Sequence, residues 1–368
     1  MTKLQQLLNS AIVDGAFPGA AYYLRNNGRE ERGFVGRQTY CPDSKPIDEH
    51  TIWDLASVSK VVSTTTLTML AVQDGKLDLD WKVANLIPEF GVEEKQEITF
   101  RNLMVHNSGL IAFRAYYKTC LTRQEVLAQI YQEKLTYPTG SKTVYSDLSM
   151  ILMDEALSRI NEKPIHQQFA SKIAEPLHLN QIGYFNLGEP TMLSTTDRKD
   201  CAPTERTEEW RKTMRRLRHG DIGSIRFYGN DPEYIQAEVH DPTATAMGGV
   251  AGHAGLFSTL DNLVQFVEAF SSESPTLIDR EVRNQFTRRQ SESSTRGLGW
   301  DTKSATGSSA GTKLGPKSYG HTGYTGTSVW IDPNSMNFAI LLTNRVHPTS
   351  ENSKLNSIRP LFHNEAFT

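Results

Sequence analysis

IWDLASVSKVVSTTTLTML, residues 52–70, is the stretch on which the fold turns. It contains Ser57 and Lys60, three positions apart at the start of a helical pattern, and no other Ser-x-x-Lys occurs in the chain. Residues i and i+3 share one face of a helix, so both side chains can enter one cleft. A serine hydroxyl is a poor nucleophile until a neighbouring base takes its proton. Burial would lower the pKa of Lys60 from its usual value and make it such a base. A helix N-terminus beside Ser57 would also stabilise developing negative charge. Taken alone, the pair equally suits an N-cap serine followed by a surface lysine.

Working outward, GAAYYLRNNGREERGFVGRQTY (19–40) places two strand-like runs around Asn26-Asn27-Gly28, a hairpin signal. TGTSVWIDPNSMNFAILLTNRV (325–346) repeats the design around Asp332-Pro333-Asn334. RGLGWDT (296–302) adds a further strand. Between these ends the signals are helical. Residues 2–14 carry Leu4, Leu7, Leu8 and Ile12 at helical spacing, and Thr122 with Glu125 forms a capping-box pattern. SDLSMILMDEALSRINEK (146–163) and TLDNLVQFVEAFSS (259–272) are helical too. The expected fold is α/β (α+β): an antiparallel sheet of about five strands, built from both ends of the chain and flanked by helices. Residues 1–80 and 250–368 would form this lobe, 81–249 a second, mainly helical lobe, with the active site between them.

The 368 residues carry a formal net charge of −3, with 38% hydrophobic and 22% charged residues. That balance describes an ordinary globular chain with no general attraction to nucleic acid or anionic membrane. Three well-separated cysteines do not make a disulfide framework. No C-x-x-C or H-E-x-x-H motif appears, and His240 and His253, at the ends of a Gly-rich loop, lack a third ligand at metal spacing. No cofactor or metal is expected. Neither a secretory h-region nor a membrane span is seen, so a cytoplasmic location is expected. EEWRKTMRRLRHG (208–220) is the most basic run and reads as a solvated helix face. TGSSAGTKLGPKSYG (306–320) reads as a mobile connection.

Two more segments can join the opening pair. Tyr145-Ser146-Asp147 sits where a loop enters a helix, and a phenol beside an ammonium makes a workable base. By itself it also suits an ordinary capped helix start. His321-Thr322-Gly323 leads into a strand, where glycine lets a ligand approach the backbone and a main-chain N–H reach an oxyanion. His106, in LMVHNSGL, reads as a satisfied structural histidine at a helix end.

In this order, Ser57-x-x-Lys60, Tyr145-x-Asp147 and His321-Thr322-Gly323 resemble the motifs of the penicillin-recognising serine hydrolases. The tyrosine makes the chain similar to the class C β-lactamase and D,D-carboxypeptidase branch, which also includes esterases. LMVHNSGL, MGGVAGHAGLFSTLDNL, GLGW, GHTGYTGTSVWIDP and LLTNRVHP extend the likeness over nearly the whole sequence. The resemblance implies an acyl-enzyme on Ser57, with Lys60 and Tyr145 handling the proton. It implies an oxyanion hole from the backbone N–H groups of Ser57 and Tyr324. Asp147, His321, Thr322 and Gly323 would contact substrate.

Two departures from the family pattern stand out. Asp147 replaces an asparagine, exchanging a donor–acceptor for an acceptor. His321 replaces a lysine and leaves the site without the permanent cation that would hold a substrate carboxylate. Efficient penicillin hydrolysis is therefore not expected. If neutral His321 is needed, activity should fall below about pH 6. The expected function is a serine hydrolase acting on small esters or amides. A D,D-carboxypeptidase or weak β-lactamase is the alternative within enzymes. A catalytically silent, penicillin-binding-like peptide-recognition module is the alternative outside them.

Overall fold

The computed structural model describes residues 1–185, 200–206, 234–272 and 277–368. The basic run at 208–220 lies outside the described residues. Strands β1 (Gly19–Asn26) and β2 (Arg29–Gly36) form the first hairpin, in register from Gly19↔Gly36 to Asn26↔Arg29. Asn27 (φ 50°) and Gly28 (φ 84°) occupy the two turn positions. Positive φ at both is what a two-residue turn matched to the strand twist demands, and Asn-Gly supplies it at little cost.

The nine strands among the described residues are completed by β3 (Trp53–Asp54), β4 (Ile182–Tyr184), β5 (Leu256–Ser258), β6 (Asp301–Thr302), β7 (Tyr319–Thr322), β8 (Ser328–Ile331) and β9 (Phe338–Thr343). The main sheet has six strands in the order β2-β1-β9-β8-β7-β6, all antiparallel, one more than the sequence reading gave. Its central pairing joins β1 to β9, with Ala20 opposite Thr343 and Arg25 opposite Phe338. Side chains alternate across β1. Ala20, Tyr22 and Leu24 pack with the helices Lys3–Val13 and Leu355–Ala366, whereas Ala21 and Tyr23 join the larger core on the other face. Both faces of the central strands are thus buried, and each fully buried Leu or Ile there contributes about 1.5–3 kcal/mol.

The segment 306–320, expected as a mobile connection, packs onto the fold and its last two residues belong to β7. Ala310 and Leu314 bury against Trp330, and Asn364 Oδ1 accepts the Thr312 N–H at 2.6 Å. A second sheet, β3-β5-β4, has no counterpart in the sequence reading. Its strand β3 delivers the chain to Ser57, and Trp53 and Asp54 pair with Ser258 and Phe257. Among the described residues no helix is long and apolar enough to cross a membrane.

Candidate active site

Ser57 is presented by an elbow rather than by a regular helix start. Ala56 has φ 46°, a left-handed conformation that a non-glycine residue holds only when its surroundings impose it. They do so through buried Asp54, whose carboxylate accepts the N–H of Ala56 at 2.8 Å and of His240 at 2.7 Å. Burial raises the pKa of Asp54 even against these two donors. Thr325 and Thr327 tie the elbow to the β7–β8 turn by donating to the carbonyls of Asp54 (2.8 Å) and Leu55 (3.0 Å). The chain then enters a π-helical turn, Lys60–Thr65, that continues as the helix Thr66–Gln73.

Ser57 Oγ caps no backbone N–H among the described bonds; it accepts from Lys60 Nζ at 2.8 Å. Lys60 is fully buried. Its ammonium also donates to the His253 carbonyl at 2.8 Å and lies 2.8 Å from Asp147 Oδ1. Burial alone would lower its pKa, but the opposite charge of Asp147, aided by Tyr145, outweighs burial and raises it. Against the expected lowering by burial the structure thus sets the ion pair with Asp147, at the position of the family's asparagine, which favours the ammonium.

Tyr145 stands beside this pair, its ring centre 5.1 Å from Lys60 Nζ. His106 places it. The His106 carbonyl accepts the Val144 N–H at 2.8 Å and its Nδ1 accepts the Ser146 N–H at 3.1 Å. Its ring lies 4.8 Å from that of Tyr145. His106 is thus more than a satisfied helix-end residue, and its Nε2 is buried with no partner. Asp147 opens the helix Asp147–Asn161, with its own N–H held by the Ala112 carbonyl at 3.0 Å.

His321 and Thr322 close β7 instead of leading into a strand. Gly323 makes the turn, its N–H donating to the Thr327 carbonyl at 2.8 Å. Any side chain on Gly323 would collide with Thr327 Oγ1 and the Leu55 carbonyl. His321 is 4% exposed and its ring centre lies 5.8 Å from that of Tyr145. Burial first, then Arg296 and Lys60, push its pKa well below the usual histidine value, and the same causes act on His106. Held this way, the His321 ring is favoured in its neutral form to lower pH than an ordinary histidine.

Arg296 is the residue that motif reading missed. Its guanidinium lies 4.8 Å from the Tyr145 ring centre, so the site does hold a permanent cation despite the histidine at 321. No local pattern around RGLGW marks it, because its partner is 151 positions away.

A cavity of about 850 Å³ opens on this constellation. Ser57, Tyr145, Asp147 and Tyr324 border it, together with Phe113, Tyr117, Glu205, His240, Asp241 and His253. Lys60, His321, Thr322 and Gly323 are not on its lining. His240 stacks on exposed Tyr324 at 5.7 Å and approaches Glu205 Oε2 at 2.9 Å, and Arg345 covers Tyr324 at 4.6 Å. Among the described residues no group of three or more His, Cys, Asp or Glu is placed to hold a metal.

Fold and constellation together define a class, the serine hydrolases of β-lactamase/transpeptidase architecture. The Beta-lactamase family model matches residues 4–360, and the chain belongs to that family. An N-acetylmuramyl-L-alanine amidase of Bacillus subtilis (strain 168) is 29% identical over 378 residues, covering 94% of this chain and 81% of that protein. A Salmonella agona (strain SL483) protein, provisionally named a D-alanyl-D-alanine carboxypeptidase, is 30% identical over 329 residues, covering 83% and 72%. The solved structure of EstCE1, described as a hydrolase with promiscuous acyltransferase activity, superposes with a TM-score of 0.72 at 18% identity. It covers 97% of both chains, and at that identity it speaks for the fold alone.

Proposed function

We propose that the protein hydrolyses an ester or amide through an acyl-enzyme on Ser57. The observation that carries this reading is the 2.8 Å contact between Ser57 Oγ and the buried ammonium of Lys60, at the edge of a cavity that Tyr145 also borders. The ion pair with Asp147 favours the ammonium of Lys60 and makes it the weaker acceptor for the serine proton. Tyr145 is the group left to take it, with two cations, Lys60 and Arg296, beside its ring. Ser57 Oγ then attacks the carbonyl carbon, and the backbone N–H groups of Ser57 and Tyr324 receive the oxyanion, a role worth about 3 kcal/mol per donor in such sites. The proton returns from Tyr145 to the leaving group, and water releases the acyl group by the same route in reverse. A cavity of about 850 Å³ accommodates more than an acetyl ester, and the names of the two relatives favour amide substrates.

The test is intact-mass and turnover measurement with p-nitrophenyl acetate and, separately, a fluorescent penicillin, on wild type and Ser57→Ala. Ester turnover that vanishes in Ser57→Ala is expected. A stable penicillin adduct without turnover would move the assignment to a D,D-peptidase. No modification of Ser57 by either reagent would remove it as the nucleophile.

A further inference from the structure

The carboxylate of Asp147 has a second consequence, on the side facing substrate. Asp147 Oδ1 is buried against Lys60, yet the side chain remains 20% exposed and borders the cavity. Ser57 Oγ and Asp147 Oδ1 both contact the same ammonium at 2.8 Å, so they lie within two hydrogen-bond lengths of each other. An ionised carboxylate accepts hydrogen bonds and donates none. Whatever group a substrate sets beside Asp147 must therefore be a donor; a carbonyl there meets only repulsion.

The rest of the lining points the same way. Glu205 and Asp241 add two more carboxylates to the lining, each already met by a histidine, His240 and His253, with the Arg206 guanidinium also on the lining. His253 borders the cavity at 2% exposure, with Nε2 2.9 Å from Asp241 Oδ1. His253 and the Ala244 N–H hold Asp241 well below the usual carboxylate range despite its burial, so Asp241 accepts the Nε2 proton. In an amino acid the nitrogen lies about 2.5 Å from its own carbonyl carbon, so an α-ammonium on the acyl group falls within reach of Asp147 when Ser57 attacks.

We propose that the cavity selects acyl groups bearing a free ammonium next to the scissile carbonyl, with Asp147 as the specificity-determining acceptor. Substrates of this kind are amides and esters of unblocked amino acids, and the free α-amino end is the feature recognised. This rests on the acyl-hydrolase reading, and the assay separates the two. The p-nitrophenyl esters of alanine (either enantiomer), N-acetylalanine and propionic acid are compared on wild type and Asp147→Asn, with Ser57→Ala as the blank. In wild type, kcat/KM for one alanyl ester should exceed that for the propionyl ester by on the order of tenfold, as for a charge-assisted bond. Asp147→Asn should bring that ratio close to one, whatever it does to overall rate. A wild-type ratio near one, an N-acetylalanyl ester as good as the alanyl ester, or a ratio unchanged by Asp147→Asn would each overturn the inference while leaving the hydrolase intact. Absence of turnover and of any Ser57 adduct with all three esters would overturn the hydrolase reading itself.

Discussion

Replacing Asp147 with asparagine should expose the cost of burying Lys60. The ammonium keeps two neutral partners in the variant, Ser57 Oγ and the His253 carbonyl, but loses its counter-charge. Removing one partner of a buried ion pair costs about 3–5 kcal/mol, and the two remaining acceptors put this case near 3 kcal/mol. The pH dependence identifies the cause. In wild type the folded pKa of Lys60 lies above its unfolded value of about 10.5. Its contribution is therefore fully present below that value and is lost only as pH rises through the folded pKa. In Asp147→Asn burial is opposed by Tyr145 without the Asp147 charge, and the folded pKa is expected to drop below the unfolded one. Stability of the variant should then rise with pH toward 10, by up to about 1.4 kcal/mol per unit, and the gap to wild type should narrow. Urea unfolding between pH 7 and 9.5, followed through buried Trp53, Trp300 and Trp330, measures this directly. Equal stability of the two proteins at pH 7, or parallel pH slopes, would refute the argument that Asp147 sets the charge of Lys60.

Acid should destabilise the fold through His106 and His321. Both are neutral in the folded protein with pKa values well below 6.5, so stability is lost as pH falls below that value, by up to about 1.4 kcal/mol per unit for each ring; urea midpoints from pH 7 to 5 should show the slope, and His321→Asn should reduce it. His240→Leu keeps the backbone bond to Asp54 but removes the ring that stacks on Tyr324 and meets Glu205. Loosening Tyr324, the proposed oxyanion donor, should lower kcat by roughly tenfold with KM within about twofold, and a raised KM with unchanged kcat would assign His240 to substrate binding instead.

Local chemistry made the two hairpins legible. Asn27-Gly28 and Asp332-Pro333-Asn334 name their turns in the sequence, and the flanking alternation sets which residues face which core. The β3-β5-β4 sheet was not legible, because its strands are two or three residues long and its partners come from distant segments. The site divides similarly. Ser57, Lys60 and Tyr145 followed from motif types, and the structure brings them together. The protonation of Lys60 did not follow, although the acidic residue at 147 was visible. Its sign depends on whether burial or the 2.8 Å ion pair prevails, and no spacing rule weighs those two terms. Arg296 and the clamp by His106 are tertiary contacts of 151 and 40 positions, beyond any periodicity.

The place of β9 in the sheet bears on how the molecule is made. Strand β9 lies between β1 and β8, yet it is synthesised after both. During translation the β1–β2 hairpin emerges early with one edge unpaired, and it waits for more than 300 residues before Phe338–Thr343 arrives to cover that edge. A strand edge left open is a template for foreign pairing, and closing so long a loop is slow. Until β9 arrives, β7 and β8 have no attachment to β1 through the sheet, and the turn carrying Tyr324 has no fixed place opposite Ser57. Until Phe338–Thr343 is made, the β1–β2 hairpin keeps that edge open and the cleft lacks its finished wall.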